Sequence, residues 1–141
     1  MIKVIRFVFS DKELLNISNN IRTTVFVIEQ KVERALEYEN EEEGNFYLLY
    51  YNDVPVATAR WRKTTQGIKL ERFATLKEYR NKGLGSKLLK EIMKDVLPLN
   101  QKIYLHSQIK AITYYEREGF RKSGEKFVEA NIEHYLMEYM K

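Results

Sequence analysis

LERFATLKEYRNKGLGSKLL, residues 70–89, starts as a strand, breaks at a basic turn carrying two glycines, and continues as a helix. Leu84, Leu88, Leu89, Ile92, Met93 and Val96 fall on one side of that helix and Lys87, Lys90, Glu91 and Lys94 on the other, and the pattern stops before Pro98. The turn, made of Arg80, Asn81, Lys82, Gly83, Leu84, Gly85 and Ser86, has the composition of an anion site. The first N–H groups of a helix find no partner within it, the helix dipole puts partial positive charge there, and glycines let a ligand approach the backbone closely. Arg80 and Lys82 add full charges. The spacing is not that of a Walker loop, which needs Gly-Lys-Ser/Thr, nor of the three-glycine dinucleotide fingerprint. A basic turn with two glycines is also compatible with a plain helix cap.

Outward from this stretch the chain reads as mixed elements without repeats. Residues 3–9 predict a strand, and Ser10 with Glu13 predicts a capping box opening a helix that carries Leu14, Ile17, Ile21, Val25 and Ile28. The acidic run EYENEEE, residues 37–43, reads as a surface loop. Residues 46–51 and 54–61 form a hairpin around Asn52 and Asp53, and Gly67 turns the chain into a third strand over residues 68–75. Residues 103–107 predict a strand, residues 110–118 a short helix stopped by Gly119, and the aromatic-rich end through Tyr139 a last strand or hairpin. These elements define an α+β class, with helices packed on a largely antiparallel sheet.

Composition bounds the rest. With 141 residues, 44% of them hydrophobic, the chain has the size of a single domain with one core and no room for a second. No apolar stretch approaches the roughly 20 residues of a membrane span, and the charged start MIKVIRFVFSDKE is unlike a secretory signal, so a soluble cytoplasmic protein is expected. The absence of Cys excludes disulfides, thiolate nucleophiles and cysteine-based zinc sites, and two His make a metal site unexpected. The net charge of +4 is unevenly placed, with acid over residues 37–43 and base over residues 60–63 and 77–94. Such a basic segment suits a phosphorylated ligand, a nucleic acid or a merely solvated face.

Five motifs in order then carry a resemblance. Arg80-Asn81-Lys82-Gly83-Leu84-Gly85 resembles the Arg/Gln-x-x-Gly-x-Gly/Ala signature of the GNAT N-acetyltransferases, and Tyr115-Glu116-Arg117-Glu118-Gly119-Phe120 resembles their later Tyr-Glu-x-x-Gly-Phe element. Arg22-Thr23-Thr24-Val25-Phe26-Val27-Ile28-Glu29-Gln30 is similar to the Arg-x-x-Val-Phe-x-x-Glu-Gln segment of the ElaA-like (YjcF-like) branch, as are Leu105-His106-Ser107-Gln108 and Ile132-Glu133-His134. Glu133 and Lys77 stand where proline is common in the family. The resemblance implies a GNAT-like mixed sheet of about six or seven strands with helices on both faces. It further implies an enzyme that moves the acetyl group of acetyl-CoA to a primary amine by direct attack in a ternary complex, in a chain that could form a homodimer.

On that resemblance the pantetheine arm pairs with the main chain of Phe73, Ala74 and Thr75, and the pyrophosphate lies on the turn from Arg80 to Ser86. The transfer needs a base for the amine, a donor for the tetrahedral oxyanion and an acid for the departing thiolate. Tyr115 takes the acid role, since a phenol with a pKa near 10 matches an alkyl thiolate, and a backbone N–H near Phe73 or Ala74 takes the oxyanion. Glu71 is the leading base, because two residues before Phe73 on an unbroken strand it shares that residue's face. His106 and His134 stay open as bases. Glu29, Gln30, His106, Gln108 and His134 are candidates for the acceptor pocket, which loops over residues 34–45 and 127–134 would shape. Two other classes remain: an acetyl-CoA-binding regulatory module without turnover, and a small basic nucleic-acid binder that would place C-terminal aromatics among Lys and Arg. The expected partners are acetyl-CoA and an amine, with neither nucleic acid nor membrane.

Overall fold

In the computed structural model, which describes residues 1–31 and 40–140, seven strands form one sheet. They are β1 (Ile2–Val8), β2 (Asn45–Tyr51), β3 (Val54–Thr64), β4 (Gly67–Thr75), β5 (Ile103–Gln108), β6 (Phe120–Glu129) and β7 (Ile132–Tyr139), in the order β1-β2-β3-β4-β5-β7-β6. Every neighbouring pair is antiparallel except β4 and β5. Three α-helices among the described residues cover the sheet: α1 (Lys12–Arg22), α2 (Leu84–Val96) and α3 (Ile112–Arg117). This is the α+β class and the strand number that the sequence implies. Residues 32–39, which take in the start of the acidic run over residues 37–43 and part of the expected 34–45 loop, lie outside the described residues; Glu41–Glu43 form a single 3-10 turn.

Two apolar layers hold the helices. Leu84, Leu88, Leu89, Ile92 and Val96 of α2 pack with Ile68, Leu70, Ile103, Leu105 and Tyr115 on one face. Leu15, Ile21 and Val25 pack with Phe7, Phe46, Leu48 and Ala74 on the other. At about 1.5–3 kcal/mol per buried aliphatic side chain, the five residues of α2 dominate its attachment, well above any capping contribution.

The first helix differs from expectation at both ends. The Ser10/Glu13 capping box does not form: Asp11 is the N-cap residue, and it makes no side-chain bond to the helix. Its carboxylate instead accepts from the N–H of Val8 at 3.3 Å, closing the turn out of β1. At the other end α1 does not run on as an α-helix to Ile28. It widens into a π-helical segment, Thr23–Glu29, which rotates Ile28 out to 65% exposure and aims Glu29 and Gln30 across the sheet.

Candidate active site

The parallel pair β4 and β5 is joined only from Ile68↔Ile103 to Leu70↔Leu105 among the described residues, and beyond it the strands diverge. Beyond Leu70 β4 has no strand partner on its β5 side; Thr75 faces that side, whereas the main chain of Ala74 is turned to Thr58 of β3. The divergence opens a cleft of about 460 Å³, whose lining includes Phe73, Ser107 and Tyr115 on one side and Gln30, Glu71, His106, Gln108, Glu129 and His134 on the other.

A β-bulge shapes the β4 wall. Thr58 pairs with Ala74 and Arg60 with Glu71, so two residues of β4, Arg72 and Phe73, stand opposite Ala59 alone. Arg72 takes φ +61°, a left-handed conformation costing a non-glycine residue on the order of 1 kcal/mol. The extra residue reverses the strand's parity. Phe73 meets Tyr115 at 6.2 Å on the α2/α3 side, whereas Glu71 faces Arg60 on the α1 side. The expectation that Glu71 shares the face of Phe73 is therefore corrected, because it assumed an unbroken strand.

The Glu71 carboxylate is 5% exposed and accepts from Arg60 Nε at 2.7 Å and Arg62 Nε at 2.9 Å, with Lys69 Nζ at 3.5 Å. Burial pushes its carboxyl up, but Arg60, Arg72, Lys69 and Arg62 together outweigh burial and hold it below the usual carboxylate value. Burial in turn lowers the guanidinium of Arg60, 1% exposed, to about 10 against the opposing pull of Glu71. The arrangement is a counter-ion for buried cations, and a carboxylate so stabilised has little proton affinity.

The turn ahead of α2 is a polar cradle. Gly83 sits at the helix N-cap with φ +75°, and the helix has no side-chain cap. A Cβ built at Gly83 or Gly85 meets nothing within 4 Å among the described residues, so the turn faces open space. Lys82 reaches back over the ring of Tyr51 at 5.9 Å. Arg80 is engaged on both ends: Nε donates to the Thr75 carbonyl at 2.9 Å, and its two terminal nitrogens donate to Glu29 at 2.7 and 2.8 Å. That hydrogen bond to Arg80 holds the Glu29 carboxyl below its usual value, so Glu29 fastens the π-helical segment to the cradle. Its neighbour Gln30 crosses to the opposite wall, where its Oε1 accepts from Gln108 Nε2 at 2.9 Å.

Tyr115, nine-tenths buried, packs among Phe73, Tyr114 and Phe120 at the end of the cleft. Burial raises its phenol well above the ordinary value, which keeps it protonated at neutral pH. Across the gap, His106 Nδ1 lies 2.8 Å from Glu129, and His134 Nδ1 donates to the Ile132 carbonyl at 2.7 Å. Residues 127–134, expected along the acceptor pocket, thus contribute Glu129, Ala130, Ile132 and His134 to the lining. Sequence reading passed over Glu129 itself; its only signal was a place in that hairpin two residues from Phe127. Among the described residues no group of three or more His, Asp or Glu could hold a metal, and no helix is long and apolar enough to cross a membrane.

The sequence profile of the Acetyltransferase (GNAT) domain matches residues 8–141, and the chain belongs to that family. It is 33% identical to the uncharacterized N-acetyltransferase YjcF of Bacillus subtilis over 130 residues, covering 90% of this chain and 93% of that one. Its fold matches Escherichia coli ElaA with a TM-score of 0.84 at 20% identity, over 97% of this chain and 99% of ElaA. It also matches a GNAT family acetyltransferase from Elizabethkingia anophelis with acetyl-CoA bound, with a TM-score of 0.66 at 17% identity, over 97% and 94% of the two chains. The chain is thus an acyltransferase of the GNAT family.

Proposed function

We propose that this protein transfers the acetyl group of acetyl-CoA to a primary amine by direct attack in a ternary complex. The observation that carries the reading is the edge of β4 left without a β5 partner beyond Leu70, followed after the 3-10 turn Lys77–Tyr79 by the start of α2, which has no side-chain cap. The main chain of Phe73 and Thr75 would pair with the amide-rich pantetheine arm, and the N–H groups from Asn81 to Ser86 would hold the pyrophosphate. The two glycines supply the clearance such a group needs. Acetyl-CoA supplies the thioester that is attacked.

The chain's own groups supply the rest. Of the two backbone N–H groups expected to hold the oxyanion, that of Ala74 is turned to Thr58 of β3, which leaves that of Phe73, in the bulge. Tyr115 gives its proton to the coenzyme thiolate, and its position against Phe73 sets it at the β4 edge. Glu29 and Gln30 form the rim between coenzyme cradle and acceptor cavity, and Gln108 and His134 line that cavity. With no Cys in the chain, a thioester-linked enzyme intermediate has no residue to form on, which favours direct attack. The test is thiol release from acetyl-CoA with a panel of spermidine, glucosamine, L-lysine and phenylethylamine. Turnover with intersecting initial-velocity lines supports the reading; binding of acetyl-CoA with no turnover on any amine favours the regulatory-module alternative.

A further inference from the structure

The side of the cleft away from Tyr115 carries a carboxylate–imidazole pair that the reading above leaves unused. Along β5, Ile103 and Leu105 enter the core beneath α2, so Tyr104, His106 and Gln108 point to the α1 face. Tyr115 and Phe73 belong to the α2 side. His106 and Tyr115 therefore border the gap between β4 and β5 from opposite faces, and both line the same cleft. An acyl transfer requires a base toward the entering amine and an acid toward the leaving sulfur, and these two approach the carbonyl carbon from different directions.

The β6–β7 hairpin is built to bring Glu129 there. Three residues of β6, Gly124 to Lys126, stand opposite Tyr135 alone, bending the strand, and Ala130 and Asn131 turn the tip with φ +52° and +63°. Phe127 packs between the two imidazoles, edge-on to His106 at 5.0 Å and stacked on His134 at 5.8 Å. Glu129 Oε1 then meets His106 Nδ1 at 2.8 Å. The bond to His106 holds the Glu129 carboxyl down at about 2, so the carboxylate is an acceptor only. Nδ1 must therefore carry a proton, and neutral His106 keeps its lone pair on Nε2.

We propose that His106 is the general base of the acetyl transfer and that Glu129 is the residue that positions it; the inference rests on the amine-acetylation reading above. The other candidates are committed elsewhere. Glu71 is a counter-ion to Arg60 and Arg62, and Glu29 is bound to Arg80. His134 has the same tautomer, but its Nδ1 meets a neutral carbonyl, whereas the imidazolium formed at His106 faces an anion. In the step, the amine nitrogen bonds to the thioester carbonyl carbon and loses one proton to His106 Nε2. The C–S bond then breaks, the sulfur takes the Tyr115 proton, and His106 and Tyr115 return to neutrality by proton exchange with solvent.

The test has an arm that needs no acceptor. Long-range nitrogen–proton NMR of the whole protein reads the His106 tautomer and its titration. Charged or titratable groups that share the cleft with it are Glu129 on β6, Lys69, Glu71 and Arg72 on β4, Arg62 on β3, Lys110 after β5, Tyr115 on α3 and His134 on β7, with Tyr104 beside it on β5. The expected result is an Nδ1–H tautomer in the wild type and loss of that tautomer's preference in Glu129→Gln, because Nδ1–H loses its carboxylate acceptor. In the kinetic arm, with acetyl-CoA and whichever of the four panel amines the wild type acetylates fastest, His106→Gln lowers kcat/KM by roughly 10²-fold and Glu129→Gln by roughly 10-fold. His106→Gln also removes the acid-side break in the pH profile, and acetyl-CoA affinity is kept in both. An Nε2–H tautomer, an unchanged break in His106→Gln, or loss of the break in His134→Gln instead would overturn the proposal. A wild type that acetylates none of the amines would overturn the amine-acetylation reading, a different failure. Should His106→Gln not fold, the wild-type tautomer and the Glu129→Gln profile decide.

Discussion

Replacing Glu71 by Gln removes one negative charge from a buried group whose partners stay in place. Arg60, 1% exposed, loses the carboxylate that accepts from its Nε at 2.7 Å, while Arg62 and Lys69 lose the same anion at 15% and 11% exposure. Stranding a buried charge costs about 3–5 kcal/mol, which exceeds what a Gln amide oxygen restores as a neutral acceptor, so a net loss of about 3 kcal/mol is expected. At roughly 3 °C per kcal/mol for a chain of this size, the melting temperature falls by roughly 10 °C. Urea unfolding followed by circular dichroism measures the free-energy loss, and a thermal scan the shift in melting temperature. The sign with pH is fixed by the lowered Glu71 pKa: its contribution is present above the unfolded value near 4.3 and is lost as pH falls through the folded one. The gap between wild type and Glu71→Gln is therefore constant from neutral pH down to about pH 5 and narrows below that. Replacing the buried pair by apolar side chains, Arg60→Met with Glu71→Leu, recovers part of the loss. Unchanged stability of Glu71→Gln together with a collapse of turnover at fixed folding would refute this reasoning and return Glu71 to the base role.

Other outcomes follow from the same geometry. Tyr115→Phe keeps the ring against Phe73 and Phe120 and lowers kcat and kcat/KM by roughly 10²-fold, with acetyl-CoA affinity unchanged in calorimetry. Gly83→Val forces a branched residue to φ +75°, costs about 1–2 kcal/mol in denaturant unfolding, and abolishes acetyl-CoA binding; retained affinity would make the glycine a helix cap only. Leu88→Ala, at 1% exposure in the layer under α2, lowers stability by about 2–5 kcal/mol by urea titration, whereas Glu29→Gln breaks a half-exposed pair and changes it by less than about 1 kcal/mol.

The parts legible in the sequence were those written in local chemistry. The spacing of Leu84, Leu88, Leu89, Ile92 and Val96 marked the buried face of α2, and the glycine turn read before it is where the helix starts, with Gly83 at the N-cap. The hairpin at Asn52 and Asp53 has both residues at positive φ, as Asn and Asp tolerate. What stayed hidden was decided by register. Nothing in Leu70-Glu71-Arg72-Phe73 distinguishes an arginine in a bulge from one in a regular strand, yet that one residue moves Glu71 to the opposite face. The meeting of Glu129 with His106 depends on extra residues near Gly124 and on a pairing 23 positions apart, which no local pattern encodes. The π-helical widening after Arg22 is likewise imposed by packing, since Thr23-Thr24-Val25-Phe26 reads as an ordinary continuation of α1.

The central claim is that acetyl-CoA lies along the free edge of β4 and on the turn before α2. Amide hydrogen exchange by NMR, with and without saturating acetyl-CoA, tests it at single residues. The account predicts new protection at Phe73 and Thr75 and at the amides from Gly83 to Ser86, with little change at Ala74, which is paired with β3, or along the β1–β2 edge. Binding that leaves those amides exchanging at their free rates, or protects a different face of the sheet, would contradict it.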